Sequence, residues 1–267
     1  MGSISDFLEN ELLDHIFNVA YGSPANVFLG LSTADPLDTG AGLAEPAAGA
    51  YSRATITFST AAARAITQNA KVTFTQATGA WGTLTHWGLF DQVSGGNMLA
   101  HGSLTVSKAV VSGNTPSVAT SEVVVSYTAG EVADYLANQL LDHCFHADNY
   151  TSPASTFVCL CTGNVLDADT GSTISEPSGG AYARQEVDIN GGASPTWDLA
   201  SNGSLDNTHT ISFPQATASL GTVTALAIAD ASSAGNLLFY ENTVIDQTVG
   251  NGDTAEISAG SLKVSMS

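Results

Sequence analysis

Two segments of the chain place apolar residues at helical spacing. Ile4, Leu8, Leu12 and Ile16 recur every fourth residue, and Val132, Leu136, Leu140 and Cys144 do the same. Each set predicts a helix whose single apolar face needs a partner, either its own domain or a neighbouring subunit. Ser3 with Asp6, and Thr128 with Glu131, stand at capping-box spacing ahead of these helices. Beyond the first helix the pattern breaks into short runs at 27–31, 53–58, 71–74, 84–90, 104–106 and 122–126, rich in β-branched and aromatic residues. These read as strands, with turn signals at 91–96 and 112–114 between them. No βαβ alternation is present, so the expected fold is mainly β, built as antiparallel sandwiches with an N-terminal helix.

The same pattern occurs twice. The run Asp6-Phe7-Leu8-Glu9-Asn10-Glu11-Leu12-Leu13-Asp14-His15 answers Asp134-Tyr135-Leu136-Ala137-Asn138-Gln139-Leu140-Leu141-Asp142-His143 at an offset of 128. Glu45, Tyr51 and Arg53 answer Glu176, Tyr182 and Arg184 at 131, and Phe74-Thr75-Gln76-Ala77-Thr78 answers Phe213-Pro214-Gln215-Ala216-Thr217 at 139. Two tandem homologous domains follow, 1–128 and 129–267, with the extra residues of the second in its loops. A polar insertion over 191–207 is the largest of these and contains Trp197.

Composition narrows the function. Among 267 residues, 25 are acidic and 6 basic, a net charge of −19, which removes the driving force for binding nucleic acid or an anionic membrane. No apolar run is long enough to span a bilayer and no basic leader precedes the first helix, so a soluble, unprocessed protein is expected. The charge is uneven, −5 over 1–128 and −14 over 129–267. The first copy is therefore the better candidate for contacting another protein, and the second for facing solvent.

Candidate chemistry is sparse. Cys144, Cys159 and Cys161 are odd in number and clustered, a poor disulfide framework that fits a reducing compartment of synthesis. They replace Ile16, Gly30 and Ser32 of the first copy, so packing explains them better than metal ligation. The segment Asp167-Ala168-Asp169-Thr170-Gly171 starts like a calcium loop but has Ser178 where a bidentate Glu belongs. His15 and His143 recur beside Asp14 and Asp142, yet neighbours on a helix point about 100° apart, which suits a structural or interface role better than a proton relay. No metal, cofactor or catalytic residue is expected. Trp81 and Trp87 align with Leu220 and Leu226 and read as core, which leaves Trp197 as the candidate exposed aromatic. Arg53 and Arg184, each two residues after a tyrosine (Tyr51, Tyr182) and eight after a glutamate, are candidates for a structural salt bridge or an intersubunit contact.

Leu12-Leu13-Asp14-His15, Leu31-Ser32-Thr33-Ala34-Asp35-Pro36, Tyr51-Ser52-Arg53, Trp81-Gly82-Thr83-Leu84-Thr85-His86-Trp87-Gly88-Leu89-Phe90-Asp91 and Gly95-Gly96-Asn97-Met98-Leu99 together resemble a family of small tailed-bacteriophage virion proteins, labelled tail-fibre or capsid-decoration proteins. The resemblance implies a non-enzymatic structural protein of the virion, made in the host cytoplasm. The leading expectation is a capsid decoration or cement protein that binds the major capsid protein or other virion proteins as a homo-oligomer such as a trimer. A tail-fibre or baseplate-attached protein is the second reading, and a carbohydrate-binding module the third.

Overall fold

The computed structural model of the protein describes residues 2–128, 130, 132–189, 192–242 and 246–266. Helix α1 (Asp6–Phe17) is capped by Ser5, whose hydroxyl accepts the Leu8 N–H at 3.3 Å. Ser3 does not cap it, because Ser3–Ile4 is drawn into a short antiparallel strand against Ala100 and His101. Helix α2 (Asp134–Leu141) follows Ala133, which offers no side-chain cap, and its end widens into π-helical geometry over Asp142–His146. Glu131, half of the second expected capping box, lies outside the described residues.

The strands of the first copy form a five-stranded antiparallel sheet in the order Ser3–Ile4, Met98–Val110, Gly82–Phe90, Val27–Ser32, Ala54–Ile56. The second copy has four of these strands, in the order Leu237–Glu241, Ala225–Ala229, Ser155–Cys161, Gln185–Asp188, and the place of Ser3–Ile4 is taken by the single bridge Val132↔Phe239. Short two-stranded ladders accompany each main sheet. Ala65–Thr67 pairs with Val124–Ser126 and Val72–Thr73 with Ser117–Val118 in the first copy; Ser204–Asp206 pairs with Lys263–Ser265 and Ile211–Ser212 with Glu256–Ile257 in the second. The protein is thus mainly β, with two homologous antiparallel units that each open with a helix. Ala65–Thr67 and Ser117–Val118 are absent from the strands expected from sequence because runs of two or three residues are too short to show an alternation.

The bridges Phe58↔Gln68 and Ala62↔Ala65 recur as Trp197↔Asn207 and Ser201↔Ser204. Residues from Thr196 to Asn207 are therefore the counterpart of 57–68. The extra residues of the second copy fall between Arg184 and Thr196, which corrects the insertion expected over 191–207. A continuous buried cluster links the copies, running from Leu8, Leu12 and Ile16 through Leu136 and Leu140 to Val264 and Met266. No helix among the described residues is long and apolar enough to cross a membrane.

Candidate functional site

The most chemically specific region is the seam where the two copies meet. Helix α1 addresses loops of the second copy. Asn10 Oδ1 accepts the Gly203 N–H at 3.0 Å, Asp14 Oδ1 accepts the Ala200 N–H at 2.8 Å, and the Asn18 amide donates to the Asp198 carbonyl at 2.7 Å. Helix α2 and its extension return the arrangement to the first copy. Asn138 Oδ1 accepts the Arg64 N–H at 3.0 Å and Asp142 Oδ1 accepts the Ala61 N–H at 2.6 Å. The Asn10–Gly203 and Asp14–Ala200 bonds have their counterparts in Asn138–Arg64 and Asp142–Ala61, so the copies are related by a pseudo-twofold exchange of helix contacts. The helices were expected to dock on their own domain or on another subunit; they do pack on their own copy, α1 against Met98–Val110 and α2 against Leu237–Glu241, and they also clasp the opposite half of the same chain.

Aromatic packing follows the same rule. Phe145 packs on Phe58 with ring centroids 5.6 Å apart, and Phe17 packs on Trp197 at 4.8 Å. Trp197 is 0% exposed, and its indole N–H donates to Thr156 Oγ1 at 2.9 Å. The exposed aromatic expected at this position is therefore a core residue, the counterpart of Phe58, held between the copies by the helix that opens the chain. Trp81 and Trp87 are also buried, at 3% each, so no tryptophan offers the exposed stacking face a sugar-binding module needs.

His15 and His143 lie at the centre of the seam, stacked with centroids 4.5 Å apart and planes 22° from parallel. His15 Nδ1 accepts the Tyr21 N–H at 3.0 Å while its Nε2 donates to the Tyr150 carbonyl at 3.0 Å. His143 does the reverse, accepting the Tyr150 N–H at 3.2 Å and donating to the Tyr21 carbonyl at 3.0 Å. Each ring thereby binds backbone of both copies, and with Nδ1 as acceptor its one hydrogen must sit on Nε2. Burial lowers the pKa of both imidazoles from the usual histidine range, and the His143 ring adds to the effect on His15. Asp14 and Asp142 point to loop amides and leave the histidines alone. Ser23 and Ser152 donate to the carbonyls of His143 and His15 respectively, closing the ring of contacts.

The paired arginines lie elsewhere and serve each copy separately. Arg53 forks onto Glu45, with Nε at 3.0 Å and Nη2 at 2.7 Å, and Nη1 donates to the Gln92 and Gly95 carbonyls at 3.0 and 2.7 Å. Its guanidinium lies 3.3 Å over the Phe90 ring. Arg184 repeats this on Glu176 at 3.1 and 2.7 Å and on the Ala231 and Ala234 carbonyls at 2.8 and 2.9 Å. Tyr51 and Tyr182 donate to the same glutamates at 2.7 and 2.5 Å while accepting the Leu31 and Leu160 N–H groups. Burial and the adjacent carboxylates push both phenols well above their ordinary pKa. Each node ties a turn to its own sheet. Its arginine is buried and points into its own copy.

Arg64 is a seam residue that sequence reasoning did not single out. It donates through Nη1 to the Val132 carbonyl and lies 3.3 Å from Asp134 and 3.4 Å from Asp167, while Nη2 donates to the Thr128 carbonyl, so it clamps the link between copies. The signal for it is a mismatch: its counterpart is Gly203, and both hold a left-handed backbone, φ 64° and 68°. An arginine where the twin keeps glycine accepts backbone strain, which marks a side chain with a specific role. Asp167 also accepts the Tyr240 hydroxyl at 2.5 Å and the Gly130 N–H at 3.1 Å, and Asp169 accepts the Leu166 N–H and the Thr173 hydroxyl. Protein donors occupy the carboxylates of the calcium-like segment. The three cysteines are buried, and burial pushes the Cys161 thiol up to about 12 and raises the other two from the ordinary thiol value as well, a poor state for a nucleophile or a ligand.

A family model described as podophage GP4 fiber I protein gp80 matches residues 3–126 and again residues 131–265. The chain belongs to this Gp80 family. It carries the family's unit twice in tandem, and Arg64 donates to the carbonyl of Thr128, which lies between the two matched segments. Membership gives the protein a structural role in the phage virion. No curated protein matches the chain.

Proposed function

We propose that this protein is a fibre component attached to the tail of a podophage virion, working as a rigid two-repeat module. The observation that carries this reading is the match of both halves to a fibre-protein family. It favours the fibre over the capsid decoration that led the sequence-based expectation. The seam supports a mechanical role. The apolar helix faces are consumed inside the chain, and both nitrogens of His15 and of His143 are spent on backbone groups. We read the protein as non-enzymatic on that basis.

The −5 copy is then the attachment side, where other virion proteins bind, and the −14 copy faces solvent and the host. Trimerisation or other self-association would use surfaces away from the seam. An open cleft of about 750 Å³, between strand residues such as Leu104 and Val106 and the segment containing Pro116 and Val118, lies on the first copy and is available to a neighbour. Quantitative mass spectrometry and immunogold labelling of purified particles test the reading. A few copies per virion at the tail are expected; hundreds spread over the shell would return the assignment to capsid decoration.

A further inference from the structure

We infer that the stacked His15–His143 pair is an acid-sensitive clasp, holding the two repeats interlocked while both imidazoles are neutral and releasing the seam when they gain protons. Each neutral ring has one hydrogen, already given to a carbonyl of the opposite copy, and one lone pair, already filled by an N–H of its own copy. A protonated imidazole carries hydrogens on both nitrogens. The second would point at the Tyr21 N–H from His15, or at the Tyr150 N–H from His143, turning an acceptor into a donor facing a donor. The ring must then move, and its Nε2 leaves the carbonyl of the other copy. Protonation of one ring thus loosens contacts on both sides of the seam, and protonation of both places two cations at stacking distance, 4.5 Å between ring centroids.

The surroundings offer an incoming proton little compensation. From α1, Glu11 lies one turn before His15, and Asp14 is bonded to Ala200 and Asn18. From α2 and its extension, Asp142 is bonded to Ala61 and His146 to Asp148, while Cys144 is buried. Tyr21 and Tyr150 meet the imidazoles edge-on, and Tyr135 packs on Tyr150. Asp91 and Asp230 act on these tyrosines rather than on the histidines. No carboxylate among the described residues hydrogen-bonds either ring. Because burial depresses both histidines, the opened form binds more protons than the closed one below the ordinary histidine pKa of about 6.5, and closure weakens as pH falls through that value. Opening uncovers the Phe17–Trp197 and Phe145–Phe58 contacts, which are the apolar surface a released repeat would present.

The test uses the full chain. Histidine C2-hydrogen exchange and backbone amide exchange are followed by mass spectrometry from pH 8 to 4.5, with His15→Gln/His143→Gln and, as a control, the exposed His209→Gln. In the wild type, His15 and His143 should titrate below the ordinary histidine value of about 6.5, and amide protection over 21–23 and 150–152 should fall at least tenfold as they do. The double variant should lose that pH dependence and His209→Gln should keep it. If the double variant does not fold, the wild-type measurement decides alone: seam protection that stays constant while both rings protonate would overturn the clasp.

Discussion

The glutamate–tyrosine–arginine nodes and the helix seam are both built from residues present twice, yet they obey opposite rules. Arg53 closes on Glu45, and Arg184 on Glu176, each within one copy. Asp14 and Asp142 cap loops of the other copy, and His15 and His143 bond backbone of both. A residue repeated for the nodes is needed by the unit; a residue repeated for the seam is needed by the pairing of units. Mutations should separate the two classes.

The largest effect is expected at Trp197, where truncation leaves a cavity between Phe17 and Thr156. Trp197→Ala should cost about 3–5 kcal/mol in urea unfolding, as for other buried aromatics, and should loosen both copies together. A change below about 0.5 kcal/mol would instead fit the solvated aromatic expected from sequence. Arg53→Ala should be of similar size, about 3–5 kcal/mol, because the partly buried Glu45 loses its partner. Its effect should stay local: amide exchange should rise in the turn over 91–96 and not in the seam.

Smaller effects are expected from the seam caps. Asp14→Ala leaves the Ala200 N–H without its acceptor, and Asp142→Ala does the same to the Ala61 N–H, at about 1–3 kcal/mol each. The two sites serve one interface, so the double variant should depart from additivity in a mutant cycle. Strict additivity would show that the copies behave as independent domains and would undo the contrast between node and seam.

Much of this is legible in the sequence, and the remainder is hidden for identifiable reasons. Helices, strands and the tandem repeat follow from periodicity and self-comparison, and the eight-residue spacing of Glu45 to Arg53 and Glu176 to Arg184 already pairs those charges. The repetition of Asn10, Asp14 and His15 is visible too, but their partners are backbone groups of loops, which carry no side-chain signature. Trp197 is misread from sequence because extra residues after Arg184 shift the alignment and Trp stands where the first copy has Phe58. Both are large aromatics filling one space, and only the bridge register shows their equivalence. Arg64 is hidden because its twin, Gly203, has no side chain to compare.

The smallest predicted effect concerns a place where the pseudo-twofold fails. Glu9 occupies the position of the fully buried Ala137, and a Cβ built on Gly203 would stand 2.6 Å from Glu9 Oε2. Burial, then Asp6 and Asp38, raise the Glu9 pKa to about 7. The folded state therefore holds a proton there that the unfolded chain has lost, and the stability this contributes disappears as pH rises from 4.5 through about 7. The histidine pair acts in the opposite direction, weakening the fold below its usual pKa of about 6.5, so stability should peak between the two limbs. Glu9→Gln removes only the alkaline limb. With allowance for solvent screening at a half-buried site, its melting temperature should exceed that of the wild type by about 2–4 °C at pH 8, converge with it at pH 5, and leave the acid limb unchanged. An equal gain at both pH values would mean that packing against Gly203, rather than charge, distinguishes the two sides of the seam.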